Sequence, residues 1–532
     1  MNRSNSDRSR RLMLASTALA ALLVPWSALA ADNRAPVWVY FTDKGLGDAV
    51  SERAAIEDLA NTYNPRAIAR RQHRRTDPGL FDARDLPVAP AYVNAVSGTG
   101  ASVRIASRWL NAVSVNATPE QVATLRTLGC VSKVEPVRRA ARRDAALEAP
   151  ARIDAGFAGR GFYGYADAQL AQINLINLHA AGFTGQGVVV GILDTGFWRD
   201  HNAFNEPGHT VNVVAEHDFV NNDGNTGVEA GDPSDQHSHG TLILSVIGAY
   251  RPGELVGGAY DASFILCKTE VVTSETPIEE DYYAAGLEFI ETNGGDMATS
   301  SLGYLDWYTQ ADLDGQTAVT TIAVNTATSN GVFCCTAAGN EYHDANPATS
   351  HLIAPADALK VITCGAADSA GNIAEFSSDG PTADGRQKPE VLARGVGTSC
   401  VWPYDTVNYA SANGTSLSTP VVASAVACLI GARPGWTVDR MRNYLFWTAG
   451  DYIANGQPDA EFVRGYGVID AKAAYDLGCP SDYNGDSFVN GIDFDEFVDV
   501  FIAGSPAADF DGNAFVNGDD FDGFTAAFVA GC

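Results

Sequence analysis

The amino-acid sequence predicts an α/β fold, a doubly wound and mainly parallel sheet flanked by helices, with a small α/β unit before it and a small α-helical unit after it. Three observations lead there. The run Gly187-Val188-Val189-Val190-Gly191-Ile192-Leu193 is short, apolar, β-branched and bounded by glycine, the pattern of a strand buried on both faces. The 52 glycines accompany alternating short strand and helix patterns over a central segment large enough for one extensive core. Near the C-terminus an acidic, phenylalanine-bearing segment repeats, Asp482 falling on Asp509.

From the N-terminus, residues 1–30 read as an export leader: Arg8, Arg10 and Arg11, an apolar stretch from Leu12 to Val24, and a small-residue exit at Ala28-Leu29-Ala30, with the cut expected after Ala30. The apolar stretch falls short of the ~20 residues that span a bilayer, and no later stretch is expected to cross one. Ser9-Arg10-Arg11-Leu12-Met13-Leu14 also resembles a twin-arginine signal. Residues 31–162 form a second unit. Pro36 to Phe41, Trp109 to Val115 and Val131 to Val137 read as strands, and Thr118 as the N-cap of a helix with Pro119 in its first position and Gln121 closing a capping box.

Charge separates this unit from the rest. Residues 1–150 hold 21 Lys and Arg against 14 Asp and Glu, within a chain of net charge −29. A basic unit docked on an acidic one gains complementary fields. The acidic balance excludes nucleic acid as a partner class. Arg138-Arg139-Ala140-Ala141-Arg142-Arg143 reads as solvated linker or processing site.

Residues 163–477 carry three separated strings: Gly191-Ile192-Leu193-Asp194-Thr195-Gly196, His237-Ser238-His239-Gly240-Thr241, and Asn413-Gly414-Thr415-Ser416-Leu417-Ser418-Thr419-Pro420. A serine hydroxyl needs an adjacent imidazole to take its proton, and the imidazole needs a carboxylate to fix its tautomer. Asp194, at the carboxyl end of the predicted strand, His239 and Ser416 supply those groups. Ser416 precedes a buried apolar helix with Pro420 expected in its first turn. His237, without the Gly-Thr that follows His239, reads as structural or surface.

The order Asp, His, Ser, with these strings, resembles the subtilase family of serine proteases. Thr336-Ala337-Ala338-Gly339-Asn340-Glu341 resembles that family's oxyanion loop, which makes Asn340 the donor. Ser300-Ser301-Leu302-Gly303 resembles the strand edge that pairs with the substrate backbone. Ser301, Leu302, Gly303, Gly339 and Glu341 are thereby implied in substrate binding, Glu341 favouring basic or polar side chains. Phe376 to Thr382, Asp384 to Glu390 and Gly465 to Ala471 extend the resemblance, so a subtilisin-like fold is expected from 163 to 477. Leu417-Ser418-Thr419 stands where the family usually has Met-Ala-Ser, and Ala393-Arg394-Gly395 where Ala-Pro-Gly is usual. Residues 31–162 look like a subtilase propeptide, a chaperone and inhibitor of its own enzyme.

Residues 479–532 hold two loops with oxygen ligands at positions 1, 3, 5, 7, 9 and 12, the spacing by which a short segment delivers the six to eight oxygens that calcium prefers. In the first they are Asp482, Asn484, Asp486, the Phe488 carbonyl, Asn490 and Asp493. In the second they are Asp509, Asp511, Asn513, the Phe515 carbonyl, Asn517 and Asp520. Glycine, usual at position 6, is replaced by Ser487 and Ala514. Phe494, Phe497, Phe501 and Phe521, Phe524, Phe528 follow at helical spacing. Paired loop-helix units of this kind resemble a dockerin, which implies calcium as cofactor and a cohesin-like protein partner.

Of the nine cysteines, Cys479 and Cys532 bracket the repeat and are expected to pair. Cys267, Cys364 and Cys428 read as buried thiols, Cys334, Cys335 and Cys400 stay open, and Cys130 belongs to the N-terminal unit. Together the resemblance implies a secreted serine endopeptidase made as a zymogen and acting on protein or peptide substrates through an acyl-enzyme. The alternative is a catalytically silent subtilase-like surface or binding protein acting through its calcium module.

Overall fold

The computed structural model describes residues 33–137, 150–153, 161–273, Thr276, 278–477, 481–483, 489–505, Ala508, Phe510 and 515–531. The expected leader, the basic run Arg138–Arg143, both Cys479 and Cys532, and the loop positions Asn484, Asp486, Phe488, Asp509, Asp511 and Asn513 lie outside the described residues.

The N-terminal unit is a four-stranded antiparallel sheet in the order Ser102–Ser107, Ala112–Ala117, Ala35–Phe41, Val131–Pro136. Helix Pro119–Leu125 starts as its sequence predicts, with Thr118 as N-cap, a capping box with Gln121 and Pro119 in the first position. Three further helices, Ala49–Thr62, Pro65–Arg74 and Pro90–Ser97, come between Ala35–Phe41 and Ser102–Ser107. Along the strand Ala35–Phe41 the side chains alternate: Val37, Val39 and Phe41 fill the unit's own core, while Trp38 packs with Val319 of the central unit.

The central sheet has seven strands, all parallel, in the order Val391–Arg394, Ile362–Ala367, Phe333–Ala337, Met297–Ser300, Val189–Asp194, Ser263–Lys268, Asn212–Asp218. Every residue of Val189–Asp194 is buried, as the glycine-bounded apolar run predicts. Helices lie on both faces. Thr415–Ala432 and Ser238–Gly248 pack with one core, and Ile278–Thr292 and Val319–Ser329 with the other. Thr415–Ala432 is long and apolar enough to cross a membrane, contrary to the expectation that no such stretch exists, but it is a buried core helix packed against both the sheet and Ser238–Gly248.

The two units meet on helix Ile278–Thr292. Fully buried Glu291 receives Arg70, Arg71 Nε at 2.9 Å, Arg108 Nη2 at 2.8 Å and the Tyr63 hydroxyl, all from the N-terminal unit. Asp281 accepts Arg104 and the Ser114 hydroxyl, and Glu288 accepts the Ser107 hydroxyl and the Trp109 N–H. The complementary charge read from the sequence is thus concentrated on one helix. Burial alone would raise the Glu291 pKa, but Arg70, Arg71 and Arg108 outweigh it and hold it at about 2.

After the central sheet, helices Gly491–Ile502 and Gly518–Ala530 pair through their phenylalanines, Phe497 stacking on Phe524 with ring centroids 3.9 Å apart. Asn490 and Asn517 cap them, each in a capping box with Asp493 or Asp520. Cys130, Cys267, Cys334, Cys335, Cys364, Cys400 and Cys428 are free thiols, all but Cys130 buried.

Replacing Glu291 by Gln removes the buried carboxylate that Arg70, Arg71 and Arg108 share and is expected to cost about 3–5 kcal/mol of unfolding free energy, read by denaturant titration of the full chain. Because the folded pKa lies below the ~4.3 of an unfolded glutamate, this stabilisation is complete above about pH 4.3 and is lost as the pH falls through 2. A wild-type titration flat over that window, or a neutral Glu291→Gln, refutes the assignment.

Candidate active site

Three elements end or begin at the carboxyl edge of the central sheet. Asp194 is the last residue of its strand, His239 lies in the first turn of Ser238–Gly248, and Ser416 in the first turn of Thr415–Ala432. The two helices pack against one another. His239 Nδ1 lies 2.8 Å from Asp194 Oδ1, which also accepts the Thr195 N–H at 2.7 Å. Thr195 in turn accepts the Gly240 N–H through its hydroxyl at 3.2 Å, tying the strand end to the start of the histidine helix. Burial pulls the His239 pKa down, but the Asp194 charge and hydrogen bond outweigh it, so the pKa stands above the ordinary histidine value. His239 Nε2 and Ser416 Oγ are buried, and neither makes a hydrogen bond with the described residues.

The serine helix begins at Thr415, earlier than the sequence suggests, because Gly414 takes φ 146°, which a side chain would resist. Pro420 therefore sits inside the helix, not in its first turn. Having no N–H, it leaves the Ser416 carbonyl without its helical donor, and the Ser301 hydroxyl donates to that carbonyl at 2.7 Å. Ser301, expected at the substrate edge, is thus also a brace for the serine. Leu302 and Gly303 follow it, half-buried.

Asn340 Oδ1 accepts the Thr415 N–H at 2.9 Å and the Thr415 hydroxyl at 3.0 Å, which fixes the side-chain amide and leaves its N–H donors for a carbonyl beside Ser416. The Ser416 N–H, second in its helix, has no partner within it. Gly339 takes φ 118°, and its Thr415-facing carbonyl accepts that hydroxyl at 3.1 Å. Glu341 is half-buried, its N–H bound to the Ser378 hydroxyl at 3.0 Å. Ser418, which departs from the usual family residue, donates to Gly365 O at 2.7 Å and accepts the Ala393 N–H at 3.1 Å, so it stitches the helix to two more strands.

His237 is structural: it is buried, packs beside Gly196, and its N–H donates to the Tyr404 hydroxyl at 2.9 Å. Sequence reasoning missed Thr415, Tyr404 and the bracing by Ser301. The signal available for Ser301 was Pro420, whose missing N–H calls for another donor to Ser416. Carboxylates also gather at Asp218, Asp223 and Glu229, but the Lys268 ammonium, 2.9 Å from Asp218 and 3.1 Å from Asp232, supplies positive charge there.

Residues 185–467 match the Subtilase family, peptidase S8, and residues 36–149 match the peptidase S8 propeptide domain of Bacteroidota. Subtilisin of Bacillus pumilus is 32% identical over 305 residues, covering 57% of this chain and 97% of that one. Subtilisin E of Bacillus subtilis (strain 168) is 31% identical over 306 residues, covering 57% of this chain and 70% of that one. The crystal structure of fervidolysin from Fervidobacterium pennivorans, described as a keratinolytic enzyme related to subtilisin, shares the fold at a TM-score of 0.57 and 20% identity, over 83% of this chain and 61% of that one. The chain belongs to the subtilase family of serine peptidases and carries an S8 propeptide domain ahead of its peptidase domain.

Proposed function

We propose that this chain is an exported serine endopeptidase, made as a zymogen, that hydrolyses peptide bonds through Asp194, His239, Ser416 and Asn340. The observation that carries the reading is the pairing of His239 with buried Asp194, with the Asn340 amide oriented by Thr415 next to Ser416. Ser416 Oγ attacks the peptide carbonyl carbon while its proton passes to His239 Nε2. Asp194 keeps the Nδ1–H tautomer and stabilises the imidazolium. Asn340 and the Ser416 N–H receive the oxyanion. His239 then protonates the leaving amine, and a water deprotonated by the same nitrogen releases the acid from Ser416.

The N-terminal unit, docked on Ile278–Thr292, acts in this reading as the enzyme's own inhibitor, and residues 1–30 as the export leader. Residues 479–532 form a dockerin-like module that binds calcium and, through it, a cohesin-like protein. What supports calcium is the donor set: the segment holds no Lys or Arg, and Asp482, Asp493 and Asp520 are buried carboxylates. Bound calcium would supply charge compensation, with Asp482, Asn490 and Asp493 in one loop and Asn517 and Asp520 in the other among its holders.

A fluorophosphonate probe tests the reading directly. Labelling confined to Ser416 and lost in Ser416→Ala supports it, and no labelling of chain that has lost its N-terminal unit overturns it. Asn340→Ala is expected to lower kcat by about 100 to 1,000-fold with little change in KM. The acid limb of kcat/KM should lie above the ordinary histidine pKa, since neutral His239 is the base and its pKa is raised. Asp194→Asn should cost about 10⁴-fold in kcat. Calorimetry should find two calcium sites in the C-terminal module, one lost in each of Asp493→Ala and Asp520→Ala, with helical circular dichroism falling when a chelator is added.

A further inference from the structure

Two segments border the serine. Ser301–Gly303 runs on from Met297–Ser300, and 338–340 runs on from Phe333–Ala337, the two strands being neighbours with Ser300 opposite Thr336. Both segments touch the first turn of the serine helix, through Ser301 on the Ser416 carbonyl and Asn340 on the Thr415 N–H. A third segment is tied to both. Ile353 N–H donates to Ala338 O at 3.2 Å, and Ala354 exchanges hydrogen bonds with Tyr304 at 2.8 and 2.9 Å.

The Ile353 side chain bridges the gap that these ties define. A Cβ on Gly303 would stand 2.2 Å from Ile353 Cδ1 and 2.4 Å from Cγ1, and one on Gly339 would stand 3.1 Å from Ile353 Cγ2. One isoleucine therefore reaches from the glycine of one wall to the glycine of the other. Ile353 is half-buried, whereas its neighbours Leu352 and Ala354 are fully buried.

We infer that Ile353 is the floor of the slot that takes the side chain on the acyl side of the scissile bond, and that it restricts substrates to peptides with glycine, alanine or serine there. The inference rests on the peptidase reading of Ser416. A carbonyl attacked by Ser416 with its oxygen toward Asn340 lies between the same two segments, and its Cα is one bond, about 1.5 Å, away. The side chain on that Cα must enter the gap between Gly303 and Gly339. A methyl or hydroxymethyl group stops short of Ile353, whereas a benzyl or lysyl chain needs the volume that Ile353 occupies, and a packed wall yields only at a cost. The basic preference expected from Glu341 is therefore overridden by depth.

The test expresses the full-length chain, takes the product that has lost its N-terminal unit, counts its active sites by fluorophosphonate labelling, and uses Ala-Ala-Pro-X p-nitroanilides with X alanine, phenylalanine or lysine. Wild type is expected to favour alanine over the other two by at least about tenfold in kcat/KM. Ile353→Gly should raise the phenylalanine value at least about tenfold, and Ile353→Ala should raise it less while keeping the backbone more constrained. Wild type that cleaves after phenylalanine or lysine as well as after alanine overturns the inference, whatever the variants do. Absent labelling and turnover would instead overturn the peptidase reading. The slot is then judged by calorimetric binding of the acids Ala-Ala-Pro-Ala and Ala-Ala-Pro-Phe to Ser416→Ala: tighter alanine supports it, equal or tighter phenylalanine overturns it.

Discussion

The parallel pairing of Val189–Asp194 with the strands on either side is the constraint from which the site follows. Leu193 stands opposite Ser300 and Asp194 opposite Lys268, so the strand ends fall at one edge and the segments that follow them emerge there together. The helix that supplies His239 starts at that edge because the chain must return across the sheet face to begin the parallel strand Ser263–Lys268, and the helix that supplies Ser416 packs across the sheet after its last strand, Val391–Arg394. Close packing holds the arrangement. A Cβ on Gly191 would stand 2.5 Å from Ile290, so the absence of a side chain there lets helix Ile278–Thr292 rest on the central strand. The same helix carries the acids that the propeptide domain grips, so that domain is docked on the sheet's own scaffold and not on a peripheral loop.

That helix handles its acids in opposite ways. Glu291 is kept ionised by three arginines, whereas Glu280, surrounded by Trp307 and Tyr308, is pushed up to about 7 by burial. Asp281 is likewise raised to about 7 by burial, against the opposing pull of Arg104 and Ser114. Desolvation offsets much of what such buried pairs gain, so their larger effect is on orientation: an arginine fork accepts a carboxylate in few geometries. A basic surface met by specific acids fixes one docking pose where apolar contact through Trp38 and Val319 alone would allow sliding.

How much of this could be read from the sequence depended on how local each signal was. The strand ending in Asp194, the capping box at Thr118 and the phenylalanine faces of the C-terminal helices are written in adjacent residues, and the structure has all three. Helices Ala49–Thr62 and Pro65–Arg74 went unread because their pattern is weakly apolar. The second buries Arg70, Arg71 and Arg74, whose partners Glu291, Asp85, Asp296 and the Pro434 carbonyl lie far from them in sequence or outside the helix. The order Asp, His, Ser was legible, but not the grip of Ser301 on Ser416 across 115 residues, since nothing near Ser301 marks it. Ile353 was invisible for the same reason, its meaning lying wholly in the two glycines it touches.

Pro420 shows why the serine helix tolerates a residue that costs about 3 kcal/mol or more in a helix interior. Without it the Ser416 carbonyl would also be engaged along the helix, and the Ser301 hydroxyl would share that acceptor with a backbone N–H. With it, three positions at the start of the helix are fastened to different strands or to the segments that follow them. Thr415 binds Gly339 and Asn340, Ser416 binds Ser301, and Ser418 binds Gly365 and Ala393. The helix is thereby oriented by the sheet edge at its start, where a nucleophile must be placed to within a fraction of an ångström, and by apolar packing over the rest of its length. The loss of one internal hydrogen bond is offset by several lateral ones, and only the lateral ones set the distance between Ser416 and the groups that surround it.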